Sequence, residues 1–122
     1  MKHTAIKWLK KPQKHDYPSA LSYLTLLMSP RLAKKLVARL KASDMATYHA
    51  KDIFRASRLP LLGANNSHVE KVRTCIMKGE AISPLLLCRG GEGRNLVIAD
   101  GYHRLCAVYT FDEDAMIPTK IV

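Results

Sequence analysis

The sequence predicts an α+β fold, in which helices pack on a small β-sheet. Apolar residues recur every three or four positions in 18–28, 31–41 and 67–78, which is the period of a helix with one buried face. Short uninterrupted apolar runs at 84–88 and 96–99 are typical of buried strands. The chain has 122 residues, which is enough for one hydrophobic core.

The helices have recognisable end signals. Pro18 suits the first turn of the first helix, whose apolar stripe is Leu21, Leu24, Leu27 and Met28. Ser29 and Pro30 form an N-cap and first-turn pair, so a second helix follows as a hairpin. Ser67 with Glu70 three residues later is a capping box, and the helix it opens ends at Lys78–Gly79.

The strand predictions rest on local composition. Residues Tyr48–Phe54 alternate, and we place a short strand or turn there, followed by a basic loop at Arg55–Arg58. The run 84–88 is predicted to be a central strand because it is uniformly apolar. Gly90–Gly93 forms a turn into the next strand; because no helix follows it, we do not interpret it as a phosphate loop. Residues 117–122 close the sheet beside an earlier strand.

The positive charge lies entirely in the first half of the chain. Residues 1–60 contain 13 Lys and Arg against 3 acids, whereas residues 61–122 contain 7 against 7. Attraction for nucleic acid or an acidic partner is therefore expected from the first half. The candidate nucleic-acid ligands are Lys34, Lys35 and Arg39, although a solvated face or an acidic protein partner stays open. Residues 1–16, which include Lys2, are predicted to form an extended basic arm. We expect Ile6, Trp8 and Leu9 to anchor this arm on the body of the protein, and its cations are either solvated or in contact with phosphates.

Several classes of protein are not expected. No apolar run is long enough to span a membrane and the start resembles no signal peptide, so we predict a cytoplasmic protein without membrane contact. The three cysteines lack metal-binding spacing and are read as buried reduced thiols. The acidic turn 112–114 is read as solvated, and no metal site is predicted. No pattern predicts the oligomeric state.

A polar block marks the change from strand to helix after Leu96–Ala99. Asp100 is a good N-cap residue, and Gly101 allows a close approach of the backbone to a ligand. The amides of Gly101, Tyr102 and His103 then point outwards, and Arg104 supplies a guanidinium suited to phosphate. The pattern thus indicates an anion site, although an ordinary junction with Arg104 paired to Asp100 stays open.

The run Ile98–Ala107, with 82–87 before it and 117–122 after it, resembles the ParB/sulfiredoxin-like superfamily. The resemblance covers residues 50–122 approximately and implies a small mixed sheet packed by helices. It also implies a nucleotide or phosphate at the Asp100–Arg104 turn, since members bind DNA and CTP, reduce a sulfinylated cysteine with ATP, or phosphorylate free serine. Tyr102 stands where the reductase branch has its cysteine, so that activity is not expected. The domain division is then 1–46, a basic arm and helical hairpin, and 47–122, the family-like domain, in one compact unit.

Three functional hypotheses follow. In the first, a nucleotide such as CTP or ATP, with or without Mg²⁺, binds to Gly101, Tyr102, His103 and Arg104, and the superfamily pairing adds Arg55 and Arg58 as further anion ligands. In the second, the protein is a small phosphotransferase or nucleotide-hydrolysing enzyme with Asp100 and His103 as catalytic residues. In the third, the basic first half binds DNA.

Overall fold

The computed structural model describes residues 5–122, which form five helices and four strands. In chain order these are α1 (Asp16–Leu24), α2 (Pro30–Ala42), β1 (Ala46–His49), α3 (Ala50–Ser57), α4 (Ser67–Met77), β2 (Leu85–Cys88), β3 (Val97–Asp100), α5 (Tyr102–Phe111) and β4 (Met116–Ile121). The predicted α+β class is confirmed. Across residues 5–122, no helix combines the length and apolar character needed to cross a membrane.

The four strands form one open sheet in the order β1–β4–β2–β3. β4 runs antiparallel to β1 and parallel to β2, while β2 and β3 are antiparallel, so the sheet is mixed. β2 is an interior strand and all four of its residues are buried, as the uniform apolar run predicted. β4 lies between β1 and β2, which confirms its predicted place beside an earlier strand.

Helices cover both faces of the sheet. Leu85 and Leu87 of β2 share one core with apolar residues of α3, α4 and α5. Leu86 and Cys88, which point to the other face, share a second core with α1 and α2. The α1–α2 hairpin therefore packs on one face of the sheet and belongs to the same folded unit as the strands.

The first described residues are fixed to this unit by a short bridge. Trp8 pairs in parallel with Ile82, the amide of Leu9 donates to the carbonyl of Ile82 at 2.9 Å, and Ile82 donates in turn to Lys7 at 3.0 Å. Ile6 and Trp8 also pack against the core. The predicted anchoring is thus confirmed, whereas Lys2, part of the predicted arm, lies outside the described residues.

The prediction for residues 48–58 is wrong in part. The strand ends at His49, and Arg55–Ser57 form the last turn of α3 rather than a loop. The physical reason is that Ala50, Ile53, Phe54 and Ser57 have helical spacing and are buried together. Over a stretch as short as Tyr48–Phe54, the apolar pattern fits both the two-residue period of a strand and the 3.6-residue period of a helix. Packing against α5 favours the helix.

The ends of α1, α2 and α4 agree with the sequence prediction except at three positions. Ser29 caps α2 by accepting from the amide of Leu32, and Gly79 ends α4 with φ +76°, both as predicted. The cap of α4 is Asn66, whose side-chain oxygen accepts from the amides of His68 and Val69, so Ser67 is instead the first helical residue. α1 begins at Asp16 and ends at Leu24, earlier than predicted at both ends.

The cysteines are unpaired, and two of them are buried. Burial raises the pKa of the Cys88 thiol to about 11, although Arg39 opposes this. Cys106 also has a raised pKa because it is buried. Both thiols are therefore protonated at neutral pH, and their role is packing.

Candidate functional site

The turn between β3 and α5 is built around Gly101. Gly101 has φ +109°, is the N-cap of α5 and has no side-chain capping bond. A Cβ at this position would lie 2.8 Å from Cγ of Leu85, so backbone conformation and space both require glycine. The predicted cap, Asp100, is therefore wrong, because Asp100 is still the last residue of β3. The first amides of α5, including those of Tyr102 and His103, have no intrahelical acceptor and lie at half-exposed positions.

Arg104 turns back into the protein. Its Nη2 lies 2.9 Å from Oδ2 of Asp100 and 3.2 Å from the carbonyl oxygen of Pro84. The Arg104 side chain is 19% exposed and that of Asp100 is 16% exposed. Burial raises the pKa of Asp100, and the adjacent Arg104 lowers it to a smaller extent. The internal ion pair left open by the sequence is thus present, and Arg104 ties the turn to the start of β2.

A second carboxylate, Asp16, lies near this pair and was missed by the sequence analysis. Asp16 is 2% exposed and accepts hydrogen bonds from the hydroxyl of Ser83 and from the amide of Gln13. Its charge contributes to the raised pKa of Asp100. No local signal pointed to Asp16, because Ser83 is far away in sequence. In the part of the chain that the structure describes, no three His, Cys, Asp or Glu side chains are arranged to hold a metal ion.

His103 faces a second histidine. The rings of His103 and His68 have centroids 4.9 Å apart, where the start of α5 packs beside the start of α4. Burial lowers the pKa of His103, and the neighbouring His68 and Arg104 lower it further. His103 is therefore held as a neutral imidazole and is not a fixed positive charge. The hydroxyl of Tyr102 donates to the carbonyl of Pro60, which points it towards the α3–α4 linker.

A larger site lies between α3 and the β2–β3 loop. We name it the arginine groove; it has a volume of about 790 Å³. Its cationic side chains are Arg55, Arg58, Arg89 and Arg94, all exposed. Its apolar floor and wall are Tyr48, Ile53, Leu87, Leu96 and Ile121, and Gly90, Gly91 and Gly93 form one rim.

The arginine groove carries excess positive charge. Arg55 pairs with Asp52 at 2.7 Å, and Glu92 is the other acid in the lining. Within residues 5–122, no carboxylate lies within ion-pair distance of the other three guanidinium groups, those of Arg58, Arg89 and Arg94. Exposed guanidinium groups beside an apolar floor suit an anion that also carries a flat or apolar part.

The backbone fixes the position of these arginines. Arg58 follows α3 in the left-handed conformation, with φ +56°, and the amide of Leu96 donates to the carbonyl of Ala56 at 2.8 Å. A Cβ at Gly90 would lie 2.3 Å from the carbonyl oxygen of Asn95, so the two arms of the loop approach closely there. The end of α3 and the β2–β3 loop are therefore joined, with Arg58 and Arg94 on one groove.

The structure separates two sets of predicted ligands. Asp100 pairs with Leu86 at one end of the β2–β3 hairpin, whereas the groove includes the loop at its other end. Arg55 and Arg58 line the groove, and none of residues 100–104 does. Arg89 and Arg94 flank the Gly90–Gly93 run, yet no local pattern marks them as ligands, because a glycine-rich turn without a following helix does not indicate a phosphate loop.

The cations of α2 form another basic surface. Lys34, Lys35 and Arg39 are exposed, and α2 contains no acid. Across residues 5–122 none of the three has an ion-pair partner. Because α2 and α3 cover opposite faces of the sheet, this surface and the arginine groove are formed by different helix layers.

Comparisons with protein-family models, curated proteins and solved structures found no match to this chain. The resemblance to the ParB/sulfiredoxin-like superfamily therefore rests on the motif residues alone.

Proposed function

We propose that this protein binds a phosphorylated ligand, such as a nucleotide, in the arginine groove. The observation that carries the proposal is the set of three exposed arginines without carboxylate partners beside an apolar floor. Arginine binds phosphate through a planar fork of donors, and the floor suits a base. The volume of about 790 Å³ falls in the range of small-molecule sites.

The turn at Gly101–Arg104 has weaker support as the phosphate site. The backbone amides at the start of α5 have no hydrogen-bond acceptor within the helix and lie at half-exposed positions, and such amides favour binding of an anion. However, Nη2 of Arg104 already donates to Asp100 and Pro84, and His103 is held neutral. A ParB/sulfiredoxin-like protein would use this turn, so variants here test the resemblance separately from the groove.

A ligand panel tests the proposal. We expect pyrophosphate, CTP or ATP, each with and without Mg²⁺, to raise the melting temperature, because a ligand at about 100 times its Kd adds about 2.7 kcal/mol to the free energy of unfolding. The double variant Arg58→Ala/Arg94→Ala should lose this rise. Lys71→Ala/Lys78→Ala removes the same charge from exposed positions on α4 and at its C-cap, and this variant should keep the rise. A full rise in the groove variant, or no rise with any probe, would contradict the proposal.

The alternative, a small phosphotransferase or nucleotide-hydrolysing enzyme, needs Asp100 as a base. The Asp100 carboxylate instead forms an ion pair with Arg104. The observation that favours an enzyme is the buried carboxylate of Asp16 nearby, whose charge raises the pKa of Asp100. Phosphate release from ATP or CTP by the parent and by Asp100→Asn tests this function. Equal rates in the two proteins would remove the catalytic role of Asp100.

DNA association is a second candidate function, favoured by the exposed, acid-free surface of α2. Lys34, Lys35 and Arg39 have no competing carboxylates in the described residues. Such a surface binds phosphates without sequence preference, so affinity for duplex DNA should fall steeply with salt. A triple Ala variant at these positions should reduce that slope, and an unchanged slope would exclude the surface.

A further inference from the structure

We infer that the ligand of the arginine groove is a segment of single-stranded nucleic acid. This inference rests on the proposed function and names the class of its ligand. It depends on three features of the groove: an exposed aromatic wall, a rim that leaves a path for a continuing chain, and cations spread over two structural elements.

The apolar part of the groove is accessible to an unpaired base. Tyr48 supplies the accessible ring, being 36% exposed, whereas Ile53 and Leu87 in the same lining are buried and back the groove from below. Bases of a single strand stack on such side chains without sequence preference, and arginine guanidinium groups add to the stacking. A duplex keeps its base faces stacked inside the helix, so it cannot use this floor.

The glycine rim leaves room for a chain to continue beyond the groove. Three of the four residues Gly90–Gly93 lack side chains, and a Cβ at Gly91 or Gly93 would meet no atom within 4 Å. The only side chain of the run is that of Glu92, which is exposed. A linked sugar-phosphate backbone therefore passes over this rim without a steric barrier.

The cations are placed to follow several phosphates. Arg55 and Arg58 belong to the end of α3, while Arg89 and Arg94 lie on the two arms of the β2–β3 loop, across the groove. All four are exposed side chains of the groove lining, unlike the few enclosed polar groups that fix a free nucleotide. A basic groove that tracks the backbone is the usual arrangement for single strands. The formal charge of +10 for the whole chain adds long-range attraction for a polyanion.

Fluorescence anisotropy with labelled oligo(dT) of ~12 nucleotides tests the inference, because site sizes on such grooves are about 4–16 nucleotides. We expect the oligomer to bind more tightly than TTP and than a duplex of equal length. Arg58→Ala/Arg94→Ala should lower the slope of log affinity against log salt by about 1.4, at about 0.7 for each lost phosphate contact. Tyr48→Ala should weaken binding about 10-fold, whereas Tyr48→Phe keeps the ring and the affinity. Lys71→Ala/Lys78→Ala is the charge-matched control.

The outcomes separate this inference from the proposed function. If TTP binds as tightly as the oligomer and loses affinity in the groove variant, the groove binds nucleotides and the inference is overturned alone. If neither probe binds, both fail. Oligomer binding that depends on Lys34, Lys35 and Arg39 but not on Arg58 and Arg94 would place the nucleic acid on α2 and also overturn the inference.

Discussion

At the scale of single residues, the Asp100–Arg104 pair shows how one contact changes the interpretation of a motif. Arg104 follows Asp100 by four positions, and the intervening glycine turn brings the two side chains to 2.9 Å. The pair is mostly buried, so removing either partner would leave a buried charge. Arg104 therefore serves first to position the turn, and its motif alone does not establish a phosphate ligand.

His103 should make stability depend on pH. Its pKa lies below the usual 6.5 because of burial, His68 and Arg104. Below pH 6.5 the His103 imidazole therefore binds protons more readily in the unfolded chain than in the folded one. The contribution of neutral His103 to folding stability is complete above pH 6.5, and it is lost as the pH falls towards the lowered pKa of the folded state. Urea unfolding at about pH 7 and about pH 5.5 should show a smaller loss of stability for His103→Asn than for the parent.

The pKa of Asp100 shifts in the opposite direction, but this affects the parent and His103→Asn alike, because both proteins keep Asp100. Its pKa is raised above 3.8, so its own contribution to stability falls as pH rises through that acidic window. An equal loss of stability on acidification in the parent and in His103→Asn would show that His103 does not carry the effect.

At the scale of elements, the start of α5 depends on one glycine. Gly101→Ala should destabilise the protein by about 1–3 kcal/mol, because the residue has positive φ and the new Cβ meets Leu85 at 2.8 Å. Urea denaturation measures the change. Gly91→Ala is the matched control, since φ is +89° there and a Cβ meets no atom within 4 Å. Equal losses in the two variants would mean that crowding by Leu85 is unimportant.

The elements that the sequence predicts best have a long pattern or a strong end signal. α2 is predicted correctly because Ser29–Pro30 marks its start and Leu36, Val37 and Leu40 form an apolar stripe with helical spacing. The buried β2 follows from its apolar run. α3 was missed because eight residues hold too few turns to separate helix from strand, and its burial depends on contacts with α5.

At the scale of the whole molecule, the candidate binding surfaces arise from strand pairings that local sequence patterns do not contain. The groove joins residues 48–58 to residues 87–96, which become neighbours only through the sheet order β1–β4–β2–β3. The hydrogen bond from Ser83 to Asp16 likewise joins residues that are far apart in sequence, because α1 packs on the sheet. Sequence reasoning therefore grouped Arg55 and Arg58 with the Asp100–Arg104 turn, whereas the structure places them in the groove lining with Arg89 and Arg94.

An NMR titration of the ¹⁵N-labelled protein with pyrophosphate tests the central claim most directly. If the phosphorylated ligand binds in the arginine groove, the amides of Gly90, Gly91, Gly93 and Arg94 should shift with the ligand concentration, and those of Gly101–His103 should stay unchanged. Saturable shifts confined to Gly101–His103, with the β2–β3 loop unaffected, would contradict the claim and return the site to the start of α5.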